Sequence, residues 1–308
     1  MTEPMERRDF LKVGTVARAT TEHTEAHVAF SESYQASATI HVSQLYDNLY
    51  LLQNAGGNVV LQTGDDGNLL IDSSFALSAP RILETIARLT PQAQAGGILI
   101  NTHWHLDHTG GNAEMHKAGF RIIAHRKTRE RLSTPQISML THESIPPSPP
   151  EAWPEIGIDE RLTIWRNGDV IDVKHIPPSH SDTDLSISFS KADVLHMGDL
   201  WFNGIYPVID EISGGSISGT IHEVEKVLAE VSASTKIIPG HGPVGGKDEL
   251  QKFHAMLTGI RDKVAALKTQ GLSEEAVIAQ KPTAEFDATY KEEYMKIDAL
   301  VGVVYRTL

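Results

Sequence analysis

Asn101-Thr102-His103-Trp104-His105-Leu106-Asp107-His108-Thr109-Gly110-Gly111 packs three histidines and one aspartate into a short polar string. It follows at once on the apolar run Ile98-Leu99-Ile100, which Gly96-Gly97 bounds on the other side. That is the pattern of a buried strand in a sheet covered by helices. Residues i and i+2 leaving a strand end point to one side, so His103 and His105 are placed to share a metal ion. Asp107 and His108 fall on the turn that opens the next helix, offset enough to serve a second ion nearby, and the two glycines let the backbone turn tightly.

Outward from this string the chain reads as two similar halves. Upstream, Asn58 to Thr63, the turn Gly64-Asp65-Asp66-Gly67, and Asn68 to Asp72 form a hairpin signal. Ala79 to Leu89 carries a proline in its opening turn and apolar Ile82, Leu83, Ile86 and Leu89 at helical spacing, with Pro91 as its stop. Downstream, Leu162 to Trp165 and Val170 to Val173 flank Arg166-Asn167-Gly168-Asp169 as a second hairpin. The strands Leu185–Phe189, Val194–Leu195 and Ile237–Ile238 follow. Thr220-x-x-Glu223 reads as a capping box, and Leu250 to Leu267 as a long amphipathic helix ending before Gly271. Prolines at 135, 146, 147, 149, 150 and 154 argue against regular structure over much of 133–158, a lid or an insertion. The expectation is one α/β domain over residues 39–308, two sheets with helices outside and helices at the C-terminal end.

Composition narrows the chemistry. The 308 residues hold 27 Lys+Arg against 40 Asp+Glu, a net charge of −13, and no cysteine. Disulfide scaffolds, thiol catalysis and thiolate metal sites are excluded, so any metal must sit on His, Asp or Glu. The acidic balance disfavours nucleic acid or an anionic membrane as the main partner. No run approaches the roughly 18 to 20 apolar residues of a membrane span, which predicts a soluble mature protein. Residues 1–38 read as a leader or tail. Arg7-Arg8-Asp9-Phe10-Leu11-Lys12 is similar to a twin-arginine export signal, implying a periplasmic protein, whereas the short apolar stretch behind it fits a charged cytoplasmic tail equally well.

The string contains HxHxDH in full and resembles the signature of the metallo-β-lactamase superfamily. Pro178-Ser179-His180-Ser181-Asp182-Thr183, His196-Met197-Gly198-Asp199 and Pro239-Gly240-His241-Gly242 resemble, in the same order, the family's remaining ligand segments. The resemblance implies an αββα sandwich of two mixed β-sheets flanked by helices, with His103, His105 and His180 on one zinc. Asp107, His108 and His241 would hold a second zinc, with Asp199 bridging; iron or manganese also suits such ligands. It further implies that Asp72 orients a ligand. Trp201, Phe202 and Tyr206 are candidates either for the pocket lining or for the core, and His196 is read as structural.

The activity implied is zinc-dependent hydrolysis of a small ester, lactone, thioester or amide by a metal-bridging hydroxide, with Asp107 passing a proton to the leaving group and the Pro-rich segment in the substrate wall. Missing cysteine excludes the β-lactamase classes that use a Cys ligand, and Asp199 at the bridging place tilts away from β-lactams. His105 stands where diiron flavoproteins of this fold carry Glu, and Phe202 where acyl-homoserine lactonases carry Tyr. The glyoxalase-type thioesterases share the ligands, but no basic cluster for glutathione is evident. The alternatives are a mononuclear iron persulfide dioxygenase of the same fold, which needs only two His and one Asp, and a β-lactam hydrolase.

Overall fold

A computed structural model describes residues 39–90 and 96–308. The twin-arginine-like motif and Pro91 lie outside the described residues. From Ile40 onward the chain forms one compact unit.

Among the described residues, fourteen strands and eight α-helices alternate along it. The strands β1 (His41–Tyr46), β2 (Leu49–Gln53), β3 (Val59–Gln62) and β4 (Asn68–Ile71) form an antiparallel meander. Helix α1 (Ala79–Leu89) carries the chain over to β5 (Gly97–Ile100), which lies parallel to β4. Two short helices, α2 (Leu106–Thr109) and α3 (Asn112–Lys117), precede β6 (Phe120–His125), parallel to β5, and α4 (Arg126–Leu132) follows it. A small hairpin of β7 (Gln136–Ile137) and β8 (Ser144–Ile145) then leads to β9 (Ile156–Ile158), which adds to the edge beside β6. The second sheet runs β10 (Arg161–Arg166), β11 (Asp169–His175), β12 (Leu185–Phe189), β13 (Val194–His196) and β14 (Lys236–Ile238), antiparallel except for the last pair. Helices α5 (Ile217–Glu230), α6 (Lys247–Thr269), α7 (Glu274–Ala279) and α8 (Ile297–Arg306) complete the chain.

The period of two along each strand sorts side chains into layers. Val60, Leu69, Ile71, Ile100 and Ile123 pack against Ile171, Val173, Leu185, Ile187 and Ile238, closing the two sheets face to face. Their neighbours Leu61, Leu70, Leu99 and Ile122 point the other way, onto Ala79, Ile82, Ile86 and Met115 of the helices. Beyond the second sheet, Ile237 and Trp201 meet Val224, Phe253, Leu257 and Val301. The result is the expected αββα sandwich of two mixed sheets.

Two local expectations are corrected, and one open alternative is decided. The helix thought to be opened by Thr220 starts earlier at Ile217, because Ser216 is its N-cap and accepts from the Gly219 amide; Thr220 and Glu223 sit inside it. The Pro-rich segment is not irregular to its end. Glu155 donates its amide to Ile122 O, and the following Ile156-Gly157-Ile158 becomes an edge strand. Finally, Trp201 and Tyr206 are fully buried and belong to the core, not to a pocket wall.

Candidate metal centre

Parallel strands β4, β5, β13 and β14 all end on one edge of the sandwich, the edge where loops after strand ends gather functional groups in α/β folds. His103 and His105 leave β5, Asp199 follows β13, and His241 follows β14. His180 comes from the loop joining β11 to β12. The structure brings all seven residues singled out from the sequence into two adjoining sets. One is His103, His105, His180 and Asp199; the other is Asp107, His108 and His241.

The hydrogen bonds fix where each neutral imidazole carries its proton. Thr102 Oγ1 gives its only proton to Asp72 Oδ2, so it accepts from His103 Nδ1 at 3.0 Å. His105 Nε2 donates to Asp210 Oδ2 at 2.9 Å, and His180 Nδ1 to Val208 O at 2.7 Å. His108 Nδ1 donates to Asp72 Oδ2 at 2.7 Å. The opposite nitrogen of each ring therefore presents a lone pair. His103 Nε2 and His180 Nε2 each lie 3.0 Å from His105 Nδ1, and His108 Nε2 lies 3.4 Å from His241 Nε2. Around His105, where His103 and His180 converge, lone pairs face lone pairs; these contacts are not hydrogen bonds, and they repel unless a cation lies between them. Nitrogens bound tetrahedrally at zinc distances are about 3.3 Å apart, and the observed separations bracket that figure.

The carboxylates complete both sets. Asp107 Oδ2 lies 3.3 Å from His108 Nε2 and 3.0 Å from His241 Nε2. Asp199 stands between the sets, with Oδ2 at 3.8 Å from His103, 3.6 Å from His180 and 3.5 Å from His241, and Oδ1 at 3.2 Å from His108. Asp199 Oδ1 is buried and accepts no hydrogen bond among the described residues. A buried carboxylate oxygen without a donor is costly, and a cation is what this surrounding offers it. The residues present thus fit a metal centre by donor type, by spacing and by this orphaned oxygen.

Electrostatics agree. Burial alone would raise the carboxyls of Asp107 and Asp199, but the neighbouring imidazoles outweigh it and hold both well below the usual carboxylate range. Burial would likewise depress His241, yet Asp199 and Asp107 push it up to about 9. His103, by contrast, is lowered by burial first and by the His108 ring second. These are the signs of a site that takes up positive charge. Only His105 and Asp107 keep a fifth or so of their side chains exposed, 19% and 22%, so solvent reaches the site past these two.

Backbone geometry lets the groups approach. Asp72 adopts a left-handed φ of 63°, a sparsely populated region for a residue with a side chain, and in that pose it takes Thr102 N at 2.7 Å as well as His108. Gly57 lies against the His108 ring, and a Cβ there would collide with it. His196 is structural: its Nδ1 accepts from Gly198 N and its Nε2 faces Asn58 O.

Two residues near the site carried no sequence signal. Asp210 orients His105, and it also accepts from Ser213. Tyr294 places its ring 4.5 Å from that of His241. Neither belongs to a spaced motif.

A family model described as the metallo-beta-lactamase superfamily matches residues 53–241, ending on His241. A metallo-beta-lactamase type 2 from Bacteroides fragilis is 21% identical over 233 residues, covering 73% of this chain and 88% of that protein. Among solved structures, the stereoselective inverting sec-alkylsulfatase Pisa1 from Pseudomonas sp. superposes with a TM-score of 0.67 at 17% identity over 88% of this chain. The chain spans about half, 51%, of that sulfatase. A metallo-beta-lactamase from Pontibacter korlensis gives 0.56 at 14% identity, over 71% of this chain and 99% of its own. With the matched segment reaching over more than half its length, the chain belongs to the metallo-beta-lactamase superfamily of metal-binding hydrolases.

Proposed function

We propose that the protein is a dinuclear zinc hydrolase acting on a small ester, lactone, thioester or amide. The observation that carries this reading is the pair of adjoining ligand sets with Asp199 between them. His103, His105 and His180 would hold one ion, Asp107, His108 and His241 the other, and Asp199 would touch both. Charge favours two divalent ions: Asp72, Asp107, Asp199 and Asp210 bring four carboxylates into direct contact with the cluster, and buried charge must be matched. When bound, such ions supply Lewis acidity and acidify a water to a pKa near 7.

The chain's own residues do the rest. Asp72 and Asp210 fix the tautomers of His108 and His105, and Asp199 and Asp107 set the spacing of the two sets. Asp107, partly open to solvent, is placed to carry a proton to the leaving group. A mononuclear iron dioxygenase would use two His and one Asp only, and the complete second set speaks for hydrolysis instead.

Metal analysis of the purified protein, with a panel of chromogenic esters, lactones, thioesters, a secondary alkyl sulfate and a cephalosporin, tests the reading. Two zinc per chain and turnover of a panel member are expected, with both lost in His105→Ala and Asp199→Ala. One iron per chain with oxygen consumption would overturn it, and so would a metal-free variant that remains fully active.

A further inference from the structure

The mouth of the site is finished by a segment that lies beyond the family-matched residues. Lys291 donates its amide to Gly204 O and accepts from Tyr206 N, both at 3.0 Å, and Tyr206 Oη donates to Asp287 Oδ1 at 2.7 Å. Tyr290 and Met295 are buried in the core that the outer helices share with Trp201. Held at both ends, the intervening turn sets Tyr294 against His241, with ring centroids 4.5 Å apart, and beside Phe202 at 6.3 Å. Phe202 stacks on His241 from within at 5.2 Å and is itself 1% exposed. Tyr294 is 38% exposed, so it is the aromatic face that this flank turns to solvent.

The other flanks carry apolar groups too. Leu106, 39% exposed, sits between His105 and Asp107, and Ile212, 45% exposed, lies two residues past Asp210. Arg131, whose guanidinium lies over the Trp104 ring, is committed to Asp182, which also accepts from Lys127. Exposed apolar side chains around a polar, buried ligand set are the usual division of labour in a small-molecule site: polar groups do the chemistry and apolar walls hold the substrate.

We propose that Tyr294 is a substrate-contacting, specificity-determining residue whose ring receives an uncharged aryl or alkyl arm of the substrate beside His241. This rests on the hydrolase reading above and deepens it. The predicted preference is for substrates with an apolar arm over those without one.

The test uses metal-chelating hydroxamates, so that it reads binding and not turnover. Zinc-loaded protein is titrated calorimetrically with acetohydroxamate and with benzohydroxamate, and metal content is measured in every variant. Wild type is expected to bind the aryl probe about tenfold more tightly, the order of one aromatic contact with its buried area. Tyr294→Phe should keep that ratio. Tyr294→Ala should bring it to within about twofold of unity while binding acetohydroxamate and metal as wild type does. An unchanged ratio in Tyr294→Ala, or no preference in wild type, overturns the proposal. So does an equal loss of both probes with loss of metal, which would make Tyr294 a prop for His241. If metal-loaded wild type binds neither probe, the hydrolase reading falls and takes this inference with it.

Discussion

His108 Nδ1 donates to Asp72 Oδ2 at 2.7 Å, and both side chains are fully buried. The same carboxylate takes the Thr102 amide and hydroxyl, so one aspartate in a left-handed backbone pose organises the start of both ligand sets. Asparagine tolerates that φ but offers one acceptor oxygen in place of a charge. Asp72→Asn is expected to weaken metal binding about 10–100-fold, the usual cost of losing a partner behind a ligating histidine. Asp72→Ala should lose as much and also destabilise the fold by about 2–4 kcal/mol through buried donors left unpaired. Chelator-competition titrations and denaturant melts separate the two effects.

Asp210 plays the corresponding part for His105, and its carboxyl is lowered to about 2: burial opposes the shift and the His105 bond overrides it. Asp210 touches only the set that includes His103 and His180. Asp210→Asn should therefore lower affinity at one ion about 10-fold or more while sparing the other. Elemental analysis after dialysis against a weak chelator is expected to find about one metal per chain where wild type keeps two.

Gly57 has no room for a side chain. A methyl there meets the His108 ring, which Asp72 prevents from moving aside. Gly57→Ala should cost about 1–3 kcal/mol of stability by overpacking and should lower metal content at the same time. Thermal unfolding with and without added zinc reads both. Full metal content at wild-type stability would show that the loop yields.

His125 offers a pH test away from the ligands. It is 4% exposed, and burial, followed by the His175 ring stacked at 4.0 Å, lowers its pKa from 6.5 to about 4. Between those values the unfolded chain binds a proton that the folded chain refuses. Its contribution to stability is thus full above pH 6.5, falls as the pH drops, and is gone near pH 4. The slope from one such group is at most about 1.4 kcal/mol per pH unit. Urea melts of wild type and His125→Gln at pH 7 and pH 5 should show a smaller acid loss in the variant.

The site was legible where chemistry is written as spacing. His103, His105, Asp107 and His108 share one string, and His180, Asp199 and His241 each sit in a short Gly- or Ser-marked strand-end segment. Asp210 and Tyr294 were not legible, because they meet the site through loops 105 and 53 residues away from the histidines they touch and no local pattern announces them. The sheets were legible through hairpin turns and apolar strands. β9 was not: three residues are too few for a period, and its pairing with β6 decides it. At α5 the Thr220 capping box gave the wrong start, because Ser216 caps the helix earlier, its oxygen reaching the Gly219 amide.

Each ligand set draws on both layers of the sandwich. His103 and His105 stand on the first sheet and His180 and Asp199 on the second; Asp107 and His108 face His241 in the same way. An ion seated in either set would act as a rivet through the two sheets, resisting shear between them. Chelation should then do more than silence an enzyme. It should turn one cooperative melting event into a looser one, with amides of the rim strands exchanging hydrogen first.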